Sequence, residues 1–435
     1  MQYLPNLFFA LALLIGLGFF AMNIRKLYRN IKLGKDINRK DKKSERLKNM
    51  MMIALGQSKM VKRPLSGFLH IIVYLGFIII NIEVLEIIID GLFGTHRVFK
   101  GYLGNGFYGF LIGTFEILAA LVFVAIVIFW FRRNISNIKR FLSKEMKGWP
   151  KTDANNILYF EMILMTLFVV MNASDTPFQQ AGVGNPISQF FVPLFDGFST
   201  ESLHIIERSA WWSHILGILI FLNYLYFSKH LHILLAFPNV YFGSVTPKGQ
   251  FKNNQAVTAE VKMMMDPSAD PYADPAPDAP PPAKFGASDV MDLTQVQLLN
   301  AYTCTECGRC TSECPANQTG KKLSPRKIMM DTRDRLQEVS KNIDANTGVF
   351  VPDGKQLLKD YISTEELWAC TTCNACTEAC PVSIDPLSII MDMRQYLVME
   401  QSAAPSELNG TMTNIENNGA PWPFNQMDRL NWSKE

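Results

Sequence analysis

Apolar residues fall into two regimes along the chain. Over the first 240 positions they gather in long runs broken by short charged stretches. Beyond that the runs thin out, and a Pro/Asp-rich stretch and every cysteine appear. Five runs reach the roughly 20 residues of helix that a bilayer requires: 4–24, 67–90, 107–131, 156–173 and 209–234. The fourth is short and carries Glu161. The first has no basic residues ahead of it and its positive charge follows the run, so it reads as a retained anchor rather than a secretory signal. After residue 240 the pattern changes to short helical segments, at 324–336 and 386–397, with few strand signals. The expected fold is an all-α membrane bundle of five transmembrane helices, joined to a mainly α-helical domain. The expected boundaries are 1–240 for the membrane domain, 241–287 for a linker, 288–400 for the second domain and 401–435 for a polar tail.

Composition adds little: 48% hydrophobic residues and a net charge of +3 suit many proteins. The distribution of charge adds more. Residues 25–63 hold 14 Lys and Arg against three acids, and residues 132–151 hold seven Lys and Arg. The two opposite loops are nearly free of them, Arg97, Lys100 and Arg208 being the main exceptions. By the positive-inside rule the basic loops are cytoplasmic. The N-terminus is then outside, and five crossings put the C-terminal domain in the cytoplasm, against a cytoplasmic (inner) membrane. No basic stripe with interleaved aromatics lies outside the membrane flanks, so nucleic acid is not an expected partner. Residues 264–283 (MMDPSADPYADPAPDAPPPA) are too rich in Pro, Ala and Asp to build a core, and read as an extended tether. Trp422 and Trp432 in the tail are candidate docking residues.

All eight cysteines belong to an internal repeat. Cys304, Cys307, Cys310 and Cys314-Pro315 form the first copy; Cys370, Cys373, Cys376 and Cys380-Pro381 form the second. This C-x₂-C-x₂-C-x₃-C-P spacing is that of [4Fe–4S] ligation, in which the fourth cysteine of each run serves the other cluster. Cys304, Cys307, Cys310 and Cys380 are thus expected to hold one cluster, and Cys370, Cys373, Cys376 and Cys314 the second. Structural zinc would leave the third cysteine of each run surplus, and disulfides are disfavoured in the cytoplasm. Ligand sets made wholly of cysteine, with no open position, point to electron transfer rather than substrate chemistry.

All six histidines lie in or near the apolar region. His70 sits at the cytoplasmic end of the second run and His232 at the same end of the fifth, so the pair can supply both axial ligands of a b-type haem. In a continuous helix, turning about 100° and rising 1.5 Å per residue, His214 and His232 share a face about 27 Å apart, and His230 lies roughly 160° away. That makes His232 the expected ligand and His230 its alternative. His214 is a candidate for a second haem, but Ile80 stands where a partner would be welcome, and His96 and His204 fall in outer loops. A second haem is left open. Glu83, Glu86, Asp90 and Glu116 lie in or at the outer ends of the second and third runs. Intramembrane carboxylates are costly and often carry protons. Glu83 and Glu116 are therefore candidates for a quinone proton relay, with helix capping as the alternative.

Trp211-Trp212-Ser213-His214, Ser228-Lys229-His230-Leu231-His232-Ile233 and Phe237-Pro238-Asn239 resemble membrane-anchored iron–sulfur oxidoreductases related to heterodisulfide reductase. The likeness covers roughly residues 5–400. The membrane part is similar to the five-helix cytochrome b of nitrate reductase gamma subunits, and the cysteine runs are heterodisulfide reductase C-like. The resemblance implies haem b, contact with quinone, and a cytoplasmic partner bearing cysteine-rich CCG domains. With all eight cysteines used, that module is expected on a separate polypeptide. It also implies electron-transfer flavoprotein as a donor in some relatives. The rivals are a membrane-bound ferredoxin for metal or oxidase maturation, for which intramembrane metal-binding cysteines would be expected, and a redox sensor or anchor without haem.

A reporter fused after Glu435 is expected to read cytoplasmic, and one inserted near Gly184 external. A cytoplasmic reading at Gly184 would contradict the five-span topology.

Overall fold

The structure is a computed structural model that describes residues 3–136, 138–250, 253, 255–268 and 284–434. Among the described residues it is helical throughout, and its two β-bridges are isolated pairs, Lys35 with Thr294 and Leu358 with Ile362. Five helices are long and apolar enough to cross a membrane: α1 (Leu4–Lys32), α2 (Pro64–Phe93), α3 (Val98–Asn134), α4 (Trp149–Ser174) and α5 (Thr200–Tyr224), the last continued by a 3₁₀ turn to Phe227. Proline opens α2 at its first position, where its missing N–H is no loss, and Gly94 ends that helix in the left-handed conformation. Gly104 interrupts α3 with φ 71° and ψ 161°, so the apolar stretch expected from residue 107 begins just after a kink.

The bundle packs α2 on α3, α3 on α4, α4 on α5, and α1 against α5 and α2. Close approach uses small residues, as membrane helices commonly do. Gly16 lies against Leu219, and a side chain at Gly76 would collide with Val122. The bundle exterior stays apolar, with Phe8, Leu14, Phe68, Phe110, Ile163 and Ile220 all exposed.

The fifth run departs from expectation. It is not one helix to residue 234. The chain extends at Ser228 (φ −113°, ψ 147°), makes a 3₁₀ turn at Lys229–Leu231, and restarts as α6 (His232–Phe242). The cause is local capping joined to a tertiary contact. Ser228 Oγ accepts from His230 N–H at 3.1 Å. Asp153 of α4 accepts from Tyr224 Oη at 2.7 Å and from Lys229 N–H at 3.1 Å. The shared-face relation of His214 and His232, and the opposite placement of His230, therefore fail, because both assumed an unbroken helix.

The C-terminal region is built on α7 (Gln295–Thr303), α8 (Pro325–Ala345) and α9 (Pro386–Met399). α8 runs nine residues beyond its expected end. Leu298, Ile328, Leu336, Val339, Ile389, Met393 and Leu397 form its core, which is continuous with Leu27, Phe221, Leu225 and Leu231 of the bundle end. Polar contacts fix the seat. Asn30 Nδ2 donates to Tyr302 Oη at 2.9 Å, and Asn239 Nδ2 to the Val382 carbonyl at 2.8 Å. The fully buried Arg326 reaches the Arg140 carbonyl at 2.6 Å and Glu145 at 2.7 Å. Arg63 pairs with Glu313, and Arg29 with Asp344. The domain thus sits on the end of the bundle that carries the basic loops. Within 241–287, residues Gln255–Met265 are helical, whereas most of the proposed tether, from 269 to 283, lies outside the described residues. In the tail, Ser406–Asn418 is helical and Trp422 and Trp432 are exposed.

Candidate electron-transfer site

The cysteine repeat is also a repeat of backbone conformation. In the first copy Glu306 and Gly308 are left-handed (φ 54° and 71°); in the second, Thr372 and Asn374 take the same places (φ 58° and 61°). Left-handed backbone costs most residues about 1–2 kcal/mol. It winds each loop tightly enough for three successive thiols to face one side. Arg326 Nη1 lies against Gly308 where a side chain would otherwise sit. The Cys-Pro step at each run's end then turns the chain away.

Two cavities result. Cys304, Cys307 and Cys310 line the first together with Cys380; Met329 and Ile384 add apolar wall. Cys370, Cys373 and Cys376 line the second together with Cys314, beside Leu323, Leu387 and Ile390. Each run's fourth cysteine faces the other run's three. Among the described residues no three His, Cys, Asp or Glu side chains close on one point as single-ion ligands would. A cubane, whose four irons each take one thiolate, suits wider spacing. Thr372 N–H donates to Cys370 Sγ at 3.4 Å and Ile384 N–H to Cys380 Sγ at 3.3 Å, the type of bond that tunes cluster potential. Burial pushes the thiols up, Cys304 to about 11 and Cys376 and Cys380 to about 12. Iron must displace those protons, which links cluster binding to pH. Cys373 is the exposed member of the set.

The break after α5 brings His70, His230 and His232 together. The His70 and His232 rings lie 6.4 Å apart between centroids, and His230 and His232 lie 5.4 Å apart at 90°. Two imidazoles on opposite sides of one metal, each bonded at about 2 Å, place their centroids about 6 Å apart. His232 Nδ1–H donates to the Lys229 carbonyl at 3.1 Å, which leaves Nε2 with its lone pair free. His70 Nδ1 is buried without a hydrogen-bond partner. His230 is engaged differently: its Nε2 lies 3.5 Å from Glu161 on α4. That pairing also accounts for a carboxylate in the weakest apolar run.

His214 is buried further along α5, and its Nδ1–H donates to the Leu164 carbonyl at 3.0 Å. Ile80 is buried, His96 lies 3.3 Å from Asp175, and His204 is exposed near Glu207. Among the described residues no histidine is paired with His214, and these residues do not fit a second bis-histidine haem.

Glu86, Asp90 and Glu116 join a network at the other end of the bundle. Glu116 accepts from Asn172 Nδ2 and from the Ile187 and Ser188 N–H groups, each at 2.9 Å. Glu86 accepts from Phe99 N–H and Tyr108 Oη. Arg97 donates to Asp175 at 2.8 Å and Asn172 at 2.9 Å, and Asp90 accepts from Arg97 N–H at 2.7 Å. Glu116 thus ties a loop to the bundle. Glu83, buried within electrostatic reach of Arg97 and the other three carboxylates, keeps one oxygen without a partner.

The first cysteine loop touches the histidine end directly. Arg309 donates to the Lys59 and Met60 carbonyls at 3.0 and 3.1 Å, just ahead of α2 and His70. Lys229 pairs with Glu306, whose second oxygen accepts from Arg333 at 2.7 Å. Burial opposes the charge on Glu306, but Arg333 and Lys229 outweigh it and hold the carboxyl below its ordinary range.

The 4Fe-4S dicluster domain family matches residues 303–384. Residues 303–384 are a 4Fe-4S dicluster domain. Over the longer chain, a probable iron-sulfur-binding oxidoreductase (FadF) of Bacillus subtilis is 30% identical, covering 93% of this chain and 57% of that protein. The EtfAB:quinone oxidoreductase of Syntrophomonas wolfei is 25% identical over 92% of this chain and 55% of its own length. One component of a ferredoxin/F420H2-dependent CoB-CoM heterodisulfide reductase of Methanosarcina acetivorans is 32% identical over 27% of this chain and 60% of its own length. The chain is thus similar to iron–sulfur oxidoreductases over most of its length and to heterodisulfide reductase subunits over part of it. It spans a little over half the length of the first two relatives. No solved structure matches.

Glu306, Arg309 and Asp153, and Lys229 beyond its place in the Ser228–Ile233 segment, are functional residues without a specific sequence signal; all four join the dicluster domain to the bundle or shape the histidine end. Asp153 carried only a generic signal, that of a charge flanking an apolar run, and Lys229 stood inside the fifth run with no role of its own.

The cavity linings make a specific demand on the dicluster domain. Cys380→Ala is expected to remove the cluster bounded by Cys304, Cys307 and Cys310 and to spare the other, as read by iron content and by the paramagnetic spectrum of the reduced protein. Loss of the cluster beside Cys370, Cys373 and Cys376 instead would reverse the assignment.

Proposed function

We propose that this chain is a quinone-linked membrane electron-transfer subunit. Electrons pass between a cytoplasmic donor, two [4Fe–4S] clusters, one haem b and the membrane quinone pool. Cys304, Cys307, Cys310 and Cys380 hold one cluster, and Cys370, Cys373, Cys376 and Cys314 the other. His70 and His232 would hold the haem, with His230 engaged by Glu161 instead. The observation that carries this reading is the placement of the His70–His232 pair beneath the first cysteine loop, at a ring separation suited to one bound iron. Haem would supply one-electron chemistry there. The Lys229 carbonyl orients the His232 imidazole.

Cys373 is the exposed cysteine, so the second cluster faces the donor and the first faces the bundle. The name of the Syntrophomonas relative supports quinone as the acceptor or donor in the membrane and electron-transfer flavoprotein as a partner. Likeness to named subunits of heterodisulfide reductases supports a separate partner subunit, which the family resemblance implies to be a CCG-domain iron–sulfur protein. The basic loops beside the dicluster domain support its cytoplasmic placement under the positive-inside rule. Glu83, buried and incompletely bonded, is the better of the two carboxylates for a quinone proton relay; Glu116 is fully occupied in holding a loop. A second reading, a membrane-bound ferredoxin without haem, draws on a probable membrane-anchored ferredoxin of Chromohalobacter salexigens that is 32% identical over 35% of this chain.

Haem content decides between the two. In His70→Ala and His232→Ala the haem bound per chain is expected to fall to near zero, and in His230→Ala to be retained. Loss in His230→Ala with retention in His232→Ala would move the ligand by two residues. Unchanged content in all three would exclude haem at this end of the bundle.

A further inference from the structure

Lys229 touches both sides of the gap that an electron would cross. Its side chain is 9% exposed, and its ammonium lies between the membrane bundle and the dicluster domain. On the bundle side it donates to the Pro150 carbonyl at 2.6 Å and lies 3.8 Å from Asp153. On the other side it pairs with Glu306, which stands between Cys304 and Cys307 and is braced by Arg333. Its backbone is equally committed. The Lys229 N–H donates to Asp153 at 3.1 Å, and the Lys229 carbonyl receives the Nδ1–H of His232 at 3.1 Å.

We propose that Lys229 is a positioning residue for electron transfer. One residue fixes the first cysteine loop through its side chain and the His232 imidazole through its carbonyl, and its buried positive charge biases the first cluster toward the reduced state. The inference rests on the reading above, in which that loop holds a cluster and His232 a haem.

The physical reasons are separable. A buried charge that loses its partner is costly, so the pair resists sliding of the domain over the bundle. A cluster that gains an electron gains a negative charge, and a fixed cation in a poorly polarisable interior favours it. Neutralising Lys229 and neutralising Glu306 change the local charge by one unit in opposite directions. Their effects on the potential must therefore differ in sign, whereas a merely structural pair sets no sign.

The test uses the purified full chain in detergent, with redox titration of both clusters by paramagnetic resonance and of haem by visible absorbance. Lys229→Met is expected to make the first cluster harder to reduce by about tenfold in its equilibrium, a shift of about 59 mV for a one-electron couple. Loss of the seat should also slow oxidation of the clusters by haem at least tenfold, against the larger driving force that the lower cluster potential supplies. Glu306→Gln is expected to shift the same cluster the other way. Lys229→Arg should stay near the parent protein, and the second cluster should not move in any variant. If Lys229→Met does not fold, Glu306→Gln and Lys229→Arg decide the matter by the same criteria. Equal potentials in the variants, or shifts of one sign from Lys229→Met and Glu306→Gln, would overturn the inference while leaving the cofactor assignment intact. A parent chain without haem or without clusters would overturn the assignment itself.

Discussion

A charged side chain withdrawn from water must find its opposite, and the buried pairs at the base of the bundle meet that demand across the boundary between two regions of the chain. Lys229 finds Glu306, and Arg326 finds Glu145. Such pairs add little net stability over a well-packed apolar contact, yet breaking one is expensive. They therefore act less as glue than as register. The dicluster domain can sit on the bundle in one way without stranding a charge. The continuous core that joins Leu27 and Leu225 to Leu298 and Tyr302 supplies the adhesion, and the ion pairs specify the seat.

The same principle organises the opposite end. Arg97, Asp175, Asn172 and Glu116 form a chain of hydrogen bonds that fastens the loops there to α3 and α4. Polar groups in an apolar bundle are tolerated because they satisfy one another. This makes Glu83 distinctive, since one of its oxygens has no partner in a setting where the neighbouring carboxylates are bonded. The bundle thus has two polar ends with different characters. One is built around histidines beneath a cysteine cage, and the other around carboxylates and an arginine.

Much of this was legible in the residues. Five apolar runs became five long helices because hydropathy reports burial in lipid directly. The cysteine spacing anticipated the fourfold grouping around each cavity, because C-x₂-C-x₂-C fixes three thiols on one side and forces the fourth elsewhere. The His70–His232 proximity followed from equal depth alone. Helical phase does not separate His232 from His230, since Ser228 and Asp153 interrupt the helix between them and His214. Capping by a serine has a weak sequence signature, and a carboxylate reaching over from α4 has none. The seat of the dicluster domain was equally hidden. Arg63, Arg140 and Glu145 read as charges flanking a membrane, and only the fold reveals that Arg63 meets Glu313, that the Arg140 carbonyl accepts from Arg326, and that Glu145 accepts from Arg326 and Ser324.

The most direct test of an electron path from the cysteine cage into the bundle follows clusters and haem together. The purified chain is fully reduced and then mixed with a water-soluble quinone, while the paramagnetic cluster signals and the visible spectrum are recorded. The account predicts a sharp b-type alpha band in the reduced protein that fades in step with the cluster signals. A reduced chain without that band, or clusters that reoxidise while the band stays unchanged, would contradict it.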